Sequence, residues 1–295
     1  MSVEAHIEGR RYGPGAFEDD LRRFVNLTVT LANTDFKLTY FGSALGYVWT
    51  LMRPLLFFGV LLVVFTQIFK LGRGIPNYAV TLLGAIIFWT FFLQVTAGCV
   101  QCLLAREGLL RKMRFPRLVI PLAVGLTALY QLLLNMVPVF IFAIASGVYP
   151  RVSWLELPVL ILLLAMLAVG AGMVLSVLYV RFRDIQPIWD VTAQILFYAS
   201  PIIYPALAYA GAGNSPTGYG TIGTIGHIAM CNPIAAIMTQ MRKALVGGSN
   251  LFNPSAASAI GGAVRLLIPL AIIALVFAFG VWLFNREAPR IAENL

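Results

Sequence analysis

Residues 181–205 of this 295-residue chain read RFRDIQPIWDVTAQILFYASPIIYP, and this stretch decides the fold. It starts with two arginines and an aspartate, continues as an apolar and aromatic run, and is broken by Pro201 and Pro205. Prolines at membrane depth leave backbone carbonyls without a helical partner, which is tolerated only where protein or water covers them. The stretch therefore predicts a membrane helix that lines a pathway and ends in an irregular mouth, rather than a helix that faces lipid.

The composition of the chain is that of a membrane protein. Hydrophobic residues make up 60% of it and charged residues 11%, whereas a soluble domain carries about 25% charged residues. Six intervals of the sequence carry no charged residue: 54–69, 74–105, 118–150, 157–180, 191–241 and 266–285. A membrane span needs about 20 apolar residues. Residues 46–52 lengthen the first interval to that size, and the fifth interval is longer than one span needs. We therefore predict an all-α membrane protein with six transmembrane helices.

Residues 1–45 are predicted to form an N-terminal cytoplasmic segment with an amphipathic interface helix, and residues 46–295 the six-helix transmembrane domain. Phe17, Leu21 and Phe24 recur at helical spacing, with charged residues mostly on the opposite face. A helix of this kind lies in the headgroup region of the membrane. A soluble N-terminal helix pair is the alternative, and it is disfavoured because so few residues cannot build their own core.

The sequence between Ala206 and Val264 is rich in Gly, Pro, Ser and Asn. We predict short extracellular re-entrant helices here, between spans five and six. One of them is predicted to start at Asn232-Pro233, because proline is favoured in the first turn of a helix. A seventh full span is the alternative, and it would place the two termini on opposite sides. In the six-span topology fifteen Lys and Arg residues lie on the side of the termini and six on the other, so both termini are predicted to be cytoplasmic.

Several kinds of chemistry are disfavoured by residues that the sequence lacks. No glycine is followed by lysine, so there is no GxxxxGK[ST] phosphate loop, and two histidines are too few for a histidine-rich metal or proton site. The interiors of the predicted spans are nearly free of charge, which disfavours ion-coupled transport. Cys99 and Cys102 form a C-x-x-C inside an apolar span, where packing is favoured over redox or metal chemistry. The basic residues lie between the spans, so the net charge of +9 indicates topology rather than a nucleic-acid partner.

Aromatic residues are concentrated in predicted spans one and five. They are Trp49, Phe57, Phe58, Phe65, Trp189, Phe197, Tyr198 and Tyr204. Aromatic faces stack on the apolar faces of sugar rings, and Tyr and Trp add hydrogen-bonding tips. Their concentration favours a pathway for a glycan, while ordinary packing and interface belts are the alternative explanation.

Several short motifs are spread over nearly the whole chain, in the order in which they occur in one family of membrane proteins. They are DFK at 35–37 with GSALGYVW at 42–49 and Pro54, LRKMRFPR at 110–117, RDI at 183–185, FYASPIIYP at 197–205 and NP at 232–233. Together they resemble the membrane (permease) subunit of ABC-2 type polysaccharide exporters, which move lipid-linked O-antigen, capsule, teichoic acid or cell-wall glycan. The combination of the SPIIYP run with the basic FPR loop is the specific part of this resemblance.

The resemblance implies a homodimer with two copies of a separate cytoplasmic ABC ATPase, which would bind ATP and magnesium. This chain would be a transport subunit with no catalytic residue, metal or cofactor of its own. Its loop at 105–117 would be a coupling helix that docks into the ATPase through Arg106, Glu107, Leu110, Arg111, Lys112, Arg114, Phe115 and Pro116. The glycan channel would be lined by Trp49, Phe57, Phe58, Trp189, Phe197, Tyr198 and Tyr204. Lys37 and Arg53 would contact the lipid headgroup.

The predicted function is export of polyprenyl-pyrophosphate-linked polysaccharide across the bacterial inner membrane. An excess of Ala, Val, Leu and Gly with few Lys is typical of a GC-rich bacterium, which makes cell-wall galactan one specific candidate. Two alternatives stay open. One is an ABC-2 permease for drugs or small lipids. The other is an intramembrane glycosyl- or phosphotransferase, which would need a carboxylate cluster that binds a divalent metal.

Overall fold

The structure is a computed structural model that describes residues 14–40, 44–68, 75–106, 108, 116–206, 208, 222–248 and 253–294. Every regular element in these residues is helical, which confirms the predicted all-α fold. In chain order the helices are α1 (Pro14–Tyr40), α2 (Ala44–Val63, continued by a π-helical turn over Val64–Ile68), α3 (Tyr78–Val100), α4 (Val119–Ala145), α5 (Glu156–Arg181), α6 (Ile185–Ala199), α7 (Thr224–Ala229), α8 (Pro233–Val246), α9 (Ala256–Ile260) and α10 (Leu267–Asn294).

Helix α3 forms the centre of the molecule. It packs against α2, α4, α5, α6 and α8, and buried residues occur on all of its faces. A helix that is hydrophobic all round is expected to be enclosed by others. Its buried Thr81 and Thr96 hydroxyls donate to the carbonyl oxygens of Tyr78 and Phe92 within the same helix, so they cost little in an apolar environment.

Helix α1 confirms the predicted N-terminal helix and lies along α4. The Thr127 hydroxyl of α4 donates to the Ala32 carbonyl oxygen at 3.3 Å. The rings of Phe36 and Tyr130 meet edge to face, with 5.7 Å between their centroids. Leu21, nearer the start of α1, is exposed, and in an interface helix such apolar side chains meet the lipid.

Five helical segments in the described residues are long and apolar enough to cross a membrane. They are Val48–Ile68, Tyr78–Val100, Val119–Ala145, Val152–Arg181 and Ala263–Glu287. The predicted fifth span is different, because its helix α6 has 15 residues and extends for only about 22 Å at 1.5 Å per residue. The chain continues beyond α6 as a non-helical segment, so the count of six spans stays a prediction.

Two glycines, Gly170 and Gly172, let α5 approach its neighbours closely, as small residues do between membrane helices. A Cβ atom on Gly170 would lie 2.7 Å from the Phe277 Cα of α10, and one on Gly172 would lie 2.7 Å from the Cys99 Cβ of α3. A Cβ atom on Gly280 would overlap the Gly170 carbonyl. Cys99 is therefore a packing residue at the contact of α3 with α5, and the described residues contain no cluster suited to a metal ion.

The helices alternate in direction, and this gives the bundle two distinct ends. The basic end holds the start of α6 and the last turns of α3, α5 and α10, with Arg106, Arg181 and Arg286. The far end holds the start of α3, the start of α5 and the short helices α7, α8 and α9. Because an excess of Arg and Lys marks the cytoplasmic side of membrane proteins, we predict that the basic end is cytoplasmic.

Candidate translocation cavity

A cavity of about 980 Å³ opens between α2, α3, α4 and α6. On α2 its lining extends from Gly46 to Phe57, and on α6 from Asp190 to Tyr198. The complete lining is Thr39, Gly46, Trp49, Thr50, Arg53, Pro54, Phe57, Trp89, Thr90, Leu93, Gln94, Gln131, Asp190, Ala193, Gln194, Phe197 and Tyr198. The cavity thus lies at the two helices in which the sequence concentrates aromatic residues.

The lining combines uncharged hydrogen-bonding groups with aromatic rings. Three glutamines enter it from three different helices: Gln94 from α3, Gln131 from α4 and Gln194 from α6. Polar side chains at membrane depth are costly unless they face a partner or a water-filled cavity. Their convergence on one space indicates that this space is hydrated or holds a polar ligand.

An aromatic cluster forms the wall of the cavity nearest the bundle centre. The Phe197 ring lies 5.5 Å from Trp89 and 6.2 Å from Phe57, centroid to centroid. It also meets Tyr198 edge to face at 5.2 Å. Tilted and edge-to-face pairs at these distances are favourable for aromatic rings, so the cluster holds these rings in fixed orientations.

The structure brings four of the seven predicted channel residues to this cavity and places three elsewhere. Trp49, Phe57, Phe197 and Tyr198 line it. Phe58 is buried and packs on Phe142 of α4 at 5.7 Å. Trp189 is buried, with its ring 6.3 Å from that of Phe92. Tyr204 donates its hydroxyl to the Tyr198 carbonyl oxygen at 2.7 Å, so it fixes the end of α6 instead of facing the cavity.

Sequence reasoning missed Trp89 and the glutamines of α3 and α4. The prediction drew its channel residues from spans one and five alone, and so gave no role in the pathway to α3 and α4. A usable signal existed, because Gln94 and Gln131 are polar residues in the middle of long uncharged intervals. Such residues in a membrane helix indicate a functional or packing site by default.

The two cations predicted to meet a lipid headgroup occupy different positions. Arg53 lies in the lining of the cavity, one residue before Pro54 of α2. Lys37 lies in the last turn of α1 and is exposed outside that lining. Thr39, two residues further on, does contribute to the cavity.

Of the predicted coupling residues, Arg106 and Pro116 are described, while Glu107, Leu110, Arg111, Lys112, Arg114 and Phe115 lie outside the described residues. The Arg106 guanidinium forms an ion pair with the Asp35 carboxylate of α1, and its second terminal nitrogen is buried without a hydrogen-bond partner among the described residues. Five residues earlier, the Gln101 amide donates to Gln186 at the start of α6. The segment that leads into the predicted coupling loop is therefore joined to both α1 and α6.

At the far end, α6 passes into residues 200–205, which we call the SPIIYP segment. Its carbonyl groups receive hydrogen bonds from buried side chains, as the prolines in the sequence require. The Tyr78 hydroxyl of α3 donates to the Ile203 carbonyl oxygen at 2.5 Å, and the Arg242 guanidinium of α8 donates to that of Ile202 at 2.5 Å. The Asn232 amide donates to the Ser200 hydroxyl at 3.1 Å. Protein thus covers this irregular backbone, which confirms the expectation from its two prolines.

Helix α8 starts at the predicted Asn232-Pro233 pair. The Asn232 side chain accepts the Ile234 backbone N–H at 3.0 Å, and Pro233 occupies the first turn. Arg242 is one of the six Lys and Arg residues predicted to lie on the extracellular side. In the structure its side chain is buried, with an exposed fraction of 4%. Burial lowers the pKa of Arg242 to about 10, against the effect of the nearby Tyr78 and Tyr204, so this side chain is a cation at neutral pH.

Comparison with known sequences relates this chain to a protein family. The sequence profile of the ABC-2 type transporter family matches residues 26–210. The O-antigen export system permease protein RfbA of Myxococcus xanthus is 28% identical over 186 residues, which cover 63% of this chain and 71% of that protein. Two proteins of the same name from Klebsiella pneumoniae are 26% and 25% identical over 271 residues, covering 92% of this chain and 95% of each relative. Because the family profile covers more than half of its residues, this chain belongs to the ABC-2 type transporter family, as the resemblance predicted.

Proposed function

We propose that this chain is the membrane subunit of an ATP-driven exporter that moves lipid-linked polysaccharide across the bacterial inner membrane. The observation that supports this best is the cavity between α2 and α6, whose lining joins amide and hydroxyl groups with aromatic rings. Relatives that match nearly the full length of the chain are named as O-antigen export permeases. Both facts favour a glycan over a drug or a small lipid as the cargo.

The chemistry of the lining suits sugar units. Glutamine amides both donate and accept hydrogen bonds, as sugar hydroxyl groups do, and aromatic faces stack against the apolar faces of the rings. At about 980 Å³ the cavity is at the upper end of the range of about 300–1,000 Å³ for ligand pockets. It is therefore large enough for a few sugar units at a time.

The charge of the lining favours a neutral glycan. Among the described residues that line the cavity, the charged ones are Arg53 and Asp190, whose charges offset each other. A polyanion such as teichoic acid would call for an excess of cations along the pathway. A neutral cell-wall glycan such as galactan is the cargo that we propose, on a polyprenyl-pyrophosphate carrier whose anionic group meets Arg53 and Lys37.

The exposed side of α6 supports assembly into a homodimer. Asp190, Gln194 and Tyr198 are exposed there, beside the apolar Val191 and Ile195. Lipid is a poor environment for a carboxylate and an amide, so a second copy and the pathway itself would cover this face. We propose that α2 and α6 of both copies enclose the channel.

The work would come from two copies of a cytoplasmic ABC ATPase, which bind ATP and magnesium, because this chain lacks a phosphate loop. Residues 105–117 would dock into that partner. A displacement of this loop would act on α1 through Arg106 and Asp35, and on α6 through Gln101 and Gln186. ATP binding would in this way shift the population of pathway conformations.

Transport by the purified complex tests this function. The chain and its ATPase are reconstituted into vesicles with a polyprenyl-pyrophosphate-linked neutral glycan, and glycan transfer is measured with and without ATP. We expect ATP-dependent transfer that disappears when the phosphate-loop lysine of the ATPase is replaced. A complex that moves a fluorescent drug or a short lipid but no glycan would contradict the proposal.

A further inference from the structure

We propose that Arg242 is a positioning residue that fixes the SPIIYP segment and thereby the end of α6, the helix that brings Phe197 and Tyr198 to the cavity. This inference rests on the proposed function, since it gives Arg242 a role in holding the translocation pathway. It adds to that function a residue of α8, which lies outside the cavity and outside the motifs of the sequence.

The burial of Arg242 is costly for folding and so calls for a reason. The side chain is 4% exposed, and among the described residues no carboxylate lies within ion-pair distance of it. Its Nε atom is buried and has no hydrogen-bond partner in the part of the chain that the structure describes. An apolar side chain of similar volume at such a site often gives equal or higher stability, because the desolvation of the charge is avoided. An arginine here therefore indicates a task beyond filling space.

The contacts of Arg242 show what this task is. Its guanidinium donates to the Ile202 carbonyl oxygen at 2.5 Å, in the middle of the SPIIYP segment. The next carbonyl along the chain, that of Ile203, accepts from the Tyr78 hydroxyl at 2.5 Å. Ile202 and Ile203 are both buried, so water does not reach these carbonyls and a donor must come from the protein.

Helix α8 is itself held firmly, so it can act as a support for Arg242. The Trp154 indole N–H, in the turn before α5, donates to the Leu245 carbonyl oxygen at 2.9 Å, and the Ser153 hydroxyl donates to that of Ala244 at 2.8 Å. These bonds lie within one turn of Arg242 in α8. A continuous set of contacts thus runs from the start of α5, through α8 and Arg242, to the SPIIYP segment and α6.

Hydrogen–deuterium exchange of the full complex with its ATPase tests the contact itself. In Arg242→Met the apolar stem is kept and the donors are lost, so the backbone amides of residues 199–204 should exchange about tenfold faster or more, as for the loss of one buried bond to a charged donor. Arg242→Lys keeps the charge and should restore part of the protection. Lys243→Met is the matched control, because it removes the neighbouring cation of the same helix, which donates to the Gly248 carbonyl oxygen at the end of α8.

Coupling of ATP hydrolysis to transport tests the positioning role. We expect Arg242→Met to hydrolyse ATP at nearly the wild-type rate per folded complex and to lose glycan export per ATP, with recovery in Arg242→Lys. Loss of structure alone would lower both activities together. If Arg242→Met does not assemble, Tyr78→Phe provides the second variant, since it removes only the hydroxyl that binds Ile203 and should give the same pattern.

The outcomes separate the inference from the function on which it rests. If exchange of residues 199–204 is the same in Arg242→Met and Lys243→Met, or if exchange rises while export per ATP is unchanged, the inference is overturned. If the wild-type complex exports no glycan, the proposed function fails, and the exchange experiment still decides whether Arg242 holds the segment.

Discussion

The two ends of the bundle are held together in different ways. At the far end, side chains from α3, from α8 and from the turn before α5 donate to backbone carbonyls, as Tyr78, Arg242 and the partly buried Trp154 do. At the basic end, side chains pair with side chains at partly exposed positions, as in the Arg106–Asp35 and Gln101–Gln186 pairs. Buried hydrogen bonds between helices rigidify a structure, whereas ion pairs near the surface contribute about 0–1 kcal/mol. We therefore expect the far end to be a fixed frame and the basic end to be adjustable, as the proposed coupling to a partner requires.

Between the two ends, the crossing of α5 and α10 should be the least tolerant site. Gly280→Leu would drive a side chain into the Gly170 backbone of α5, and backbone cannot yield as a flexible side chain does. We expect a loss of more than about 3 kcal/mol, seen as failure of the protein to accumulate in the membrane. Gly59→Leu is the control, because a Cβ atom on Gly59 has no neighbour within 4 Å. Equal accumulation of the two variants would show that the helices can separate here.

The fixed frame of the far end can be tested with one tryptophan at each end. Trp154→Phe leaves the Leu245 carbonyl without its donor and weakens the stacking on Phe140, so we expect a loss of about 2 kcal/mol. Trp282→Phe, near the basic end of α10, affects a side chain that is 53% exposed and should cost below about 1 kcal/mol. Thermal unfolding in detergent measures both. A larger loss at Trp282 would reverse the proposed contrast.

The sequence predicts those features of the two ends that depend on neighbouring residues, and it misses those that depend on distant ones. The start of α8 was predicted because Asn232 and Pro233 act on the backbone next to them. A glycine in a membrane helix, such as Gly170, likewise indicates close packing through its size alone. The burial of Arg242 was not predicted, since a basic residue near the end of an apolar run looks the same whether water or protein surrounds it.

The cavity was predicted in part for the same reason. Aromatic residues of α2 and α6 marked its walls, because both helices carry several of them. Trp89 and Gln94 were missed, because only the packing of α3 against both helices shows which of its faces meets the cavity. Phe58 and Trp189 lie on faces of α2 and α6 that pack against other helices, a distinction that the period of a helix leaves open until its neighbours are known.

For the adjustable basic end we expect the opposite of the far end. Substitutions there should have a small effect on stability and a large effect on the coupling of ATP hydrolysis to transport. Asp35→Asn and Arg106→Gln should each cost about 1 kcal/mol, with a coupling energy of similar size in the double mutant. Under the proposed function we expect glycan to stimulate ATP hydrolysis by the complex, and both single variants should lose this stimulation. The charge exchange Asp35→Arg with Arg106→Asp should restore part of this stimulation. Single variants with normal stimulation would show that α1 does not take part in coupling.

The smallest effect is expected for the Arg181–Glu287 pair at the same end. These side chains meet at 2.5 Å, with Arg181 57% and Glu287 10% exposed. Arg286 lies 3.9 Å from the same carboxylate, so it can compensate for the loss of a largely exposed partner, and such partners contribute little. Arg181→Gln should therefore change the thermal unfolding midpoint by no more than a degree or two and leave coupling intact. A loss comparable to that of Trp154→Phe would mean that the basic end is as rigid as the far end.

The central claim, that the cavity between α2 and α6 is the path of the glycan, is tested most directly by thiol labelling of Tyr198→Cys. The variant is made in a background without Cys99, Cys102 and Cys231, and labelled with a membrane-impermeant maleimide in the presence or absence of a trapped glycan. Leu275→Cys, at an exposed apolar position of α10, is the control that should stay unlabelled. We predict that Tyr198→Cys is labelled in the empty complex and protected when glycan is trapped. Labelling that is the same with and without trapped glycan would contradict the account.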